Sequence, residues 1–79
     1  MNSRPAVTVD ARGRRCPLPI LDLARHIKTV EVGATITVEA DDPAAHPDIR
    51  AWCRMRGHEF VLAGRAADGT PAYTVRRLH

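Results

Sequence analysis

Residues 14–19 read Arg14-Arg15-Cys16-Pro17-Leu18-Pro19, and in them a basic loop gives way to a helix. Proline suits the first position of a helix, because its fixed φ matches helical geometry and its missing N–H has no partner to lose there. Pro17 at that position makes Cys16 the residue that caps the helix, next to the positive end of the helix dipole. The sequence therefore predicts that a loop and a helix meet at this thiol.

The charges around Cys16 predict a reactive thiol. Arg12, Arg14 and Arg15 precede it, and both cationic side chains and a helix N-terminus favour thiolate over thiol. Because the thiolate is the nucleophilic form, we expect sulfur chemistry at this position rather than packing. Two alternatives stay open for the three arginines: they dock a partner, or they only form a solvated loop.

The pattern of apolar residues places this loop in a small mixed fold. Strands are predicted at residues 6–11, 34–40, 58–64 and 70–77, and helices at residues 17–29 and 48–56. Gly33, Gly57 and the segment Ala67-Asp68-Gly69 mark turns, and Pro71 favours an edge strand or the first position of a strand. The order β-α-β-α-β-β predicts an α/β (α+β) fold: a two-layer sandwich with a four-stranded mixed sheet and two helices on one face.

Both helices are predicted to be amphipathic. The buried stripe of the first consists of Ile20, Leu23, Ala24 and Ile27, and its polar side consists of Asp22, Arg25, His26 and Lys28. The second helix has a rougher apolar face, made of Ile49, Trp52, Cys53 and Met55. Cys53 is therefore expected in the core.

Length and composition limit the class of protein. Seventy-nine residues are enough for one domain spanning residues 1–79, in which residues 1–5 are expected to be a loose terminus. Hydrophobic residues make up 44% and charged residues 27%, as in a soluble globular protein. We find no apolar run near the roughly 20 residues of a membrane span, and we expect no leader peptide. The expected location is cytoplasmic, without membrane contact.

Cysteine and histidine usage exclude several kinds of site. A secreted domain of this size would carry more than two cysteines, and Cys16 and Cys53 form neither a CxxC motif nor a zinc-type spacing. The four histidines are scattered, so we expect no metal and no bound cofactor. The net charge of +3 permits weak attraction to nucleic acid. With only three aromatic residues, however, direct nucleic-acid binding is not expected.

Three segments together resemble the TusA/SirA-like family of small sulfur-carrier proteins. The first is residues 9–19, which end in a CPxP motif (Cys16–Pro19) at the start of the first helix. The second is Asp41-Asp42-Pro43-Ala44, with Asp48-Ile49 downstream. The third is Trp52-Cys53, followed by Gly57-His58-Glu59. The resemblance runs from about residue 7 to residue 77.

The resemblance implies both the sandwich fold and a function. The cysteine of CPxP in this family accepts sulfane sulfur as a persulfide from a donor such as a cysteine desulfurase or a rhodanese. It passes the sulfur to a protein acceptor, for example a DsrE-like protein, in tRNA thiolation, molybdenum-cofactor synthesis or sulfur oxidation. Cys16 is then the catalytic residue of a sulfurtransferase that needs no cofactor beyond the covalent persulfide. The expected supporting residues are Arg12, Arg14, Arg15, Pro17, Leu18, Pro19, Asp41 and Asp42.

The residues next to the thiol and the Asp41-Asp42 pair carry further expectations. Leu18 stands where family members that thiolate tRNA usually have Glu, which removes a carboxylate from beside the thiol. Because Pro19 lacks an N–H, Leu18 is expected to supply the first backbone donor near the sulfur. Asp41 and Asp42 are expected to end a strand and cap the next turn, or else to contact a partner's basic surface.

Two other functions stay open from sequence. One is a non-catalytic regulatory or binding module of the SirA-like type that contacts nucleic acid or protein. The other is a thiol redox protein that uses Cys16 and Cys53.

Overall fold

The computed structural model describes residues 7–79 and has the predicted order of elements. The strands are β1 (Val7–Asp10), β2 (Thr35–Glu39), β3 (Glu59–Arg65) and β4 (Pro71–Arg76). The helices are α1 (Leu18–His26), which continues into a 3₁₀ turn at Ile27–Thr29, and α2 (Ala45–Arg56). The predicted loose terminus at residues 1–5 and the first residue of the first predicted strand lie outside the described residues.

The four strands form one mixed sheet in the order β1-β2-β4-β3. β1 and β2 are parallel, with Val9 opposite Val38, whereas β4 is antiparallel to both β2 and β3. β4 is therefore an interior strand. Of the two positions predicted for Pro71, an edge strand is wrong and the first position of a strand is correct.

Both helices cover the same face of the sheet. Leu23 from α1 and Ile49 from α2 are fully buried against the inward residues of the central strands, such as Val38 and Val75. β2 alternates between buried and half-buried residues along its length, which is the period of two expected when one face carries the core. The predicted sandwich is confirmed.

Three details of the helices differ from the prediction. Met55 is 74% exposed and does not belong to the buried face of α2. Asp22 was predicted on the polar side of α1 but is only 5% exposed, because two arginine side chains cover and pair its carboxylate. α2 starts at Ala45 rather than Asp48; Pro47 then lies in its first turn, where a missing N–H has no helical partner to lose.

The parallel pairing of β1 with β2 determines where the site lies. Since the two strands run in the same direction, the loops that follow them emerge at the same end of the sheet. One loop leads to α1 and carries Cys16, and the other leads to α2 and carries Asp41 and Asp42. The starts of both helices are thereby brought together. No helix within residues 7–79 has the length and apolarity needed to cross a bilayer.

Candidate functional site

Cys16 is exposed on the loop between β1 and α1, where the Cys16–Pro17 peptide bond is cis. Pro17 has φ −96° and ψ 17°, which is outside the helical range, so it occupies the capping position and α1 begins at Leu18. The prediction that Cys16 itself caps the helix is wrong by one residue. Pro19 falls in the first turn and is fully buried, so it fixes the first turn of α1 against the core beneath the loop.

Asp42 ties the thiol loop to the start of α2. Its Oδ2 accepts a hydrogen bond from the Cys16 N–H at 2.8 Å, and its Oδ1 accepts one from the Ala44 N–H at 2.9 Å. The Ala44 contact is the capping role expected of this carboxylate, whereas the contact with Cys16 could not be read from sequence. One side chain therefore positions both the cysteine and the turn that opens α2.

Asp41 holds the same loop at a second point. Its Oδ1 accepts the Gly13 N–H at 3.0 Å. Gly13 has φ +77°, a left-handed conformation that glycine adopts without the steric cost of a Cβ. The two adjacent acidic residues thus bind backbone amides three positions apart in the cysteine loop, and this fixes its path.

Asp48 is the third carboxylate of the site and contacts the sulfur directly. The Cys16 thiol donates a hydrogen bond to Asp48 Oδ2. Asp48 is half-buried in the first turn of α2, where the helix dipole stabilises a negative charge. From sequence, Asp48 stands out only as part of the family resemblance and is not among the predicted site residues. A prediction that the second helix starts at Ala45 would have placed Asp48 in its first turn, at the same end of the sheet as the thiol.

The surroundings of Cys16 raise its pKa rather than lower it. The hydrogen bond to Asp48 is the largest cause, followed by partial desolvation and by the negative charges of Asp48 and Asp42, which all raise the pKa of the thiol above its usual 9.0. The expected lowered pKa is therefore wrong for this conformation. At neutral pH the group is a thiol that donates to a carboxylate.

Two of the three loop arginines are engaged in ion pairs away from the sulfur. Arg12 pairs with Asp10 at 2.9 Å and with Asp68 at 2.8 Å, and it lowers the pKa of Asp10 to about 2, chiefly through the side-chain hydrogen bond. Arg14 pairs with the buried carboxylate of Asp22 at 2.8 Å. These contacts attach the loop to β1, the β3–β4 turn and α1, so their charges stabilise structure instead of a thiolate.

Arg15 is the arginine next to Cys16 and forms no ion pair with the other described residues. The pKa of Asp42 is lowered mainly by the N–H groups of Ala44 and Cys16, and further by the charge of Arg15. Arg15 therefore acts on the carboxylate that holds the loop.

Leu18 contributes apolar surface rather than an open backbone donor. Its N–H donates to the Arg15 carbonyl at 2.8 Å, which corrects the expectation that this N–H faces the sulfur. The side chain is 38% exposed, and Leu21, three residues further along the same helix face, is 54% exposed. An apolar patch of these two leucines, here called the leucine patch, follows directly after the thiol loop.

Cys53 has a different environment from Cys16. It is 2% exposed, and burial raises its pKa to about 11. Both cysteines are free thiols. The prediction that Cys53 belongs to the core is confirmed, and its burial gives it no path to an external sulfur donor.

Comparison with known proteins connects this geometry to a family. The family model described as sulfurtransferase TusA matches residues 7–77. The crystal structure of a SirA-like protein from Desulfitobacterium hafniense superposes with a TM-score of 0.77 at 20% sequence identity, and the match covers 92% of this chain and 99% of that one. At this identity the structural likeness shows the fold, which is the same α+β sandwich.

Proposed function

The chain belongs to the sulfurtransferase TusA family, and we propose that it acts as a sulfur carrier that holds sulfane sulfur as a persulfide on Cys16. Membership of the family supports a sulfurtransferase role in general. The observation that supports the specific proposal is the exposed Cys16 thiol in hydrogen-bond contact with the Asp48 carboxylate. Such a pair joins a nucleophile to a group that can accept its proton.

Loading is an exchange between a thiol and a persulfide. Asp48 accepts the proton of Cys16 as the thiolate attacks the terminal sulfur of a donor persulfide. The bond between the two donor sulfurs breaks while the Cys16 sulfur–sulfur bond forms. The donor sulfur leaves as a thiolate and takes up a proton from Asp48 or from water. Electrons balance within the exchange, so no external oxidant, reductant or cofactor takes part.

Delivery reverses the roles. A thiolate of the acceptor protein attacks the outer sulfur of the Cys16 persulfide, and Cys16 leaves as a thiolate. The proton returned by Asp48 restores the thiol. Asp48 therefore acts as base in loading and as acid in delivery, and its position in the first turn of α2 keeps it in contact with the sulfur.

The raised pKa of Cys16 fits a carrier that reacts only with a docked partner. Susceptibility to oxidation follows thiolate character, and a thiol that donates to Asp48 has little of it at neutral pH. A partner that covers the exposed loop excludes water and adds its own charges. Both effects change how the proton is distributed between the Cys16 thiol and the Asp48 carboxylate. Reactivity is then conferred on docking.

The leucine patch indicates how partners dock. Exposed apolar side chains next to a reactive group are typical of protein–protein contact sites, and Leu18 and Leu21 lie within one helical turn of the cysteine loop. We propose a cysteine desulfurase or a rhodanese as the donor and a DsrE-like or similar protein as the acceptor, in the cytoplasm. Leu18 in place of Glu favours an acceptor with an apolar contact surface and argues for a sulfur-oxidation or cofactor relay over tRNA thiolation.

A sulfur-loading experiment tests the proposal. Wild type, Cys16→Ser and Cys53→Ala are each incubated with a cysteine desulfurase and cysteine, and separately with a rhodanese and thiosulfate, before intact-mass analysis and peptide mapping. We expect one added sulfur atom on the Cys16 peptide of the wild type and of Cys53→Ala, and none on Cys16→Ser. Sulfur on neither cysteine with both donors, or sulfur on Cys53, overturns the proposal.

A further inference from the structure

A cleft of about 510 Å³ lies at the end of the helices opposite to Cys16. The last turns of α1 and α2 meet there with the start of β3 and the C-terminal residues of the chain. Its apolar lining is Ala24, Ile27 and Trp52. The distance along α2 from Asp48 to Arg56 corresponds to about 12 Å at 1.5 Å per residue, so the cleft is separate from the sulfur site.

The remaining lining of the cleft is basic. Of the described residues that line it, six are Arg, Lys or His and none is acidic. Arg25 is paired with Asp22, and Arg77 is bonded to a backbone oxygen of His79, the last residue, but neither Lys28 nor Arg56 forms an ion pair with a carboxylate of residues 7–79. The C-terminus of each helix contributes roughly half a negative charge, and the charges of Lys28 and Arg56 together outweigh two such termini. The cleft thus keeps a positive charge that the described residues do not neutralise.

Arg77 is held in place by the backbone around the cleft. Its Nη1 donates to the Val30 carbonyl at 2.6 Å and its Nε to the His79 carbonyl at 2.8 Å. A guanidinium anchored in this way is already ordered before a ligand arrives, and this reduces the entropy lost on binding. The anchored guanidinium is therefore better suited to bind an anion than a mobile surface arginine is.

A row of stacked rings borders the same cleft. Trp52 and His58 stack with ring centroids 5.4 Å apart, and His58 and His79 with centroids 4.7 Å apart. His79 is exposed, and its Nε2 contacts the Arg56 carbonyl at 2.8 Å. The row offers planar ring surface directly beside the cationic groups.

The pKa of His58 responds to the charge of the cleft. Its Nδ1 accepts the N–H of Leu78 at 3.1 Å. Desolvation is the main cause that lowers the pKa of His58, and the positive fields of His79 and Arg77 lower it further. A bound anion would offset these fields, so the ring is a natural probe of occupancy.

We propose that this cleft binds a nucleotide, free or within an RNA strand, with its phosphate on the guanidinium groups and its base against the ring row. Arginine side chains pair with phosphate oxygens in a bidentate geometry. The volume lies within the range of small-molecule sites, about 300–1,000 Å³, which leaves room for more than a phosphate group. This binding activity is additional to the proposed sulfur transfer and involves none of the same residues.

Solution NMR of the full chain at about 0.15 M salt tests the proposal, because that ionic strength screens non-specific attraction. Inorganic phosphate, AMP and a short oligoribonucleotide are titrated separately. We expect saturable shifts of the Trp52 indole and His58 ring signals, tighter binding of AMP or of the oligoribonucleotide than of phosphate, and a rise in the pKa of His58 on binding.

The matched variants are Arg56→Gln and Arg54→Gln. Both remove one positive charge from the end of α2, but only Arg56 lines the cleft. Loss of a charge-assisted hydrogen bond should weaken binding about tenfold in Arg56→Gln, with no change in Arg54→Gln. Saturable binding of AMP identifies a free nucleotide as the source, and binding of the oligoribonucleotide alone identifies RNA.

Four results overturn the proposal. These are no saturation with any nucleotide, equal weakening in both variants, equally tight binding of phosphate alone, and tighter binding of a glutamate-rich peptide than of AMP. The last of these would reassign the cleft to an acidic protein segment.

Discussion

At the scale of single residues, the chemistry depends on where the proton of Cys16 goes. A count of charges along the sequence surrounds the thiol with arginines and predicts a thiolate. In the folded protein Arg12 and Arg14 pair with carboxylates elsewhere, and the group in contact with the sulfur is Asp48. The largest cause of the raised pKa of Cys16 is therefore one hydrogen bond between distant positions in the chain, which a count of charged residues does not reveal.

Replacing Asp48 with Asn should separate the pKa of Cys16 from its competence in sulfur transfer. Without the carboxylate the pKa of the thiol falls, so more thiolate is present at neutral pH and alkylation by iodoacetamide becomes faster. Each tenfold gain in thiolate is offset by a loss of only about threefold in intrinsic nucleophilicity. Persulfide transfer from a donor protein should nevertheless slow down, by roughly 10²-fold or more, because the proton acceptor is lost.

The dependence of the alkylation rate on pH shows directly whether Asp48 raises the pKa of Cys16. A raised pKa keeps wild-type Cys16 protonated until the pH exceeds 9.0, so its alkylation rate still rises there, whereas in Asp48→Asn the rate should level off at a lower pH. Asp68→Asn serves as control, because Asp68 pairs with Arg12 and makes no contact with the sulfur. Equal alkylation rates for wild type and Asp48→Asn at neutral pH would contradict the assignment.

At the scale of elements, local sequence patterns predicted the helices, strands and turns, because these depend mainly on residues that are neighbours in sequence. Alternation and helical periodicity located all four strands and both helices, and Gly57 ends α2 in the left-handed conformation expected of it. The predicted start of the second helix at residue 48 is three residues late, because Pro47 lies in the first turn of α2, and this hides the contact between Asp48 and the thiol. That contact depends on the parallel register of β1 and β2, which sequence alone does not specify.

The two loops joined by Asp42 depend on a single side chain, so one substitution affects both. Asp42→Ala removes the acceptor of both the Cys16 and the Ala44 N–H groups. A hydrogen bond typically contributes about 0.5–1.5 kcal/mol to stability, so loss of both should lower the free energy of unfolding by roughly 1–3 kcal/mol in urea titrations. The released loop should also let the pKa of Cys16 fall, which would speed its alkylation at neutral pH.

Asp42→Asn provides the matched comparison for this prediction. The amide keeps one oxygen acceptor but loses the charge, so its stability should lie between those of the wild type and Asp42→Ala. If Asp42→Ala unfolds at the same urea concentration as the wild type, the carboxylate does not join the two loops.

At the scale of the whole molecule, the sandwich places opposite charges at its two ends. The three carboxylates of the thiol site lie at the start of α2 and in the loop before it, and the basic cleft lies where both helices end. This agrees with the helix dipoles, which favour anions at the start of a helix and cations at its end. One layer of two parallel-running helices thus separates the proposed sulfur site from the proposed anion site.

The stability of this small fold should depend on very few side chains. A domain of 79 residues is expected to unfold at a cost of only about 4–12 kcal/mol, and Ile49 is fully buried between α2 and the sheet. Ile49→Ala should remove about 2–5 kcal/mol of this through lost burial and a residual cavity. Met55→Ala, on the same helix but 74% exposed, should change stability by less than about 0.5 kcal/mol. Urea unfolding followed by the fluorescence of Trp52, the single tryptophan, measures both variants; equal losses would show that the core does not lie between α2 and the sheet.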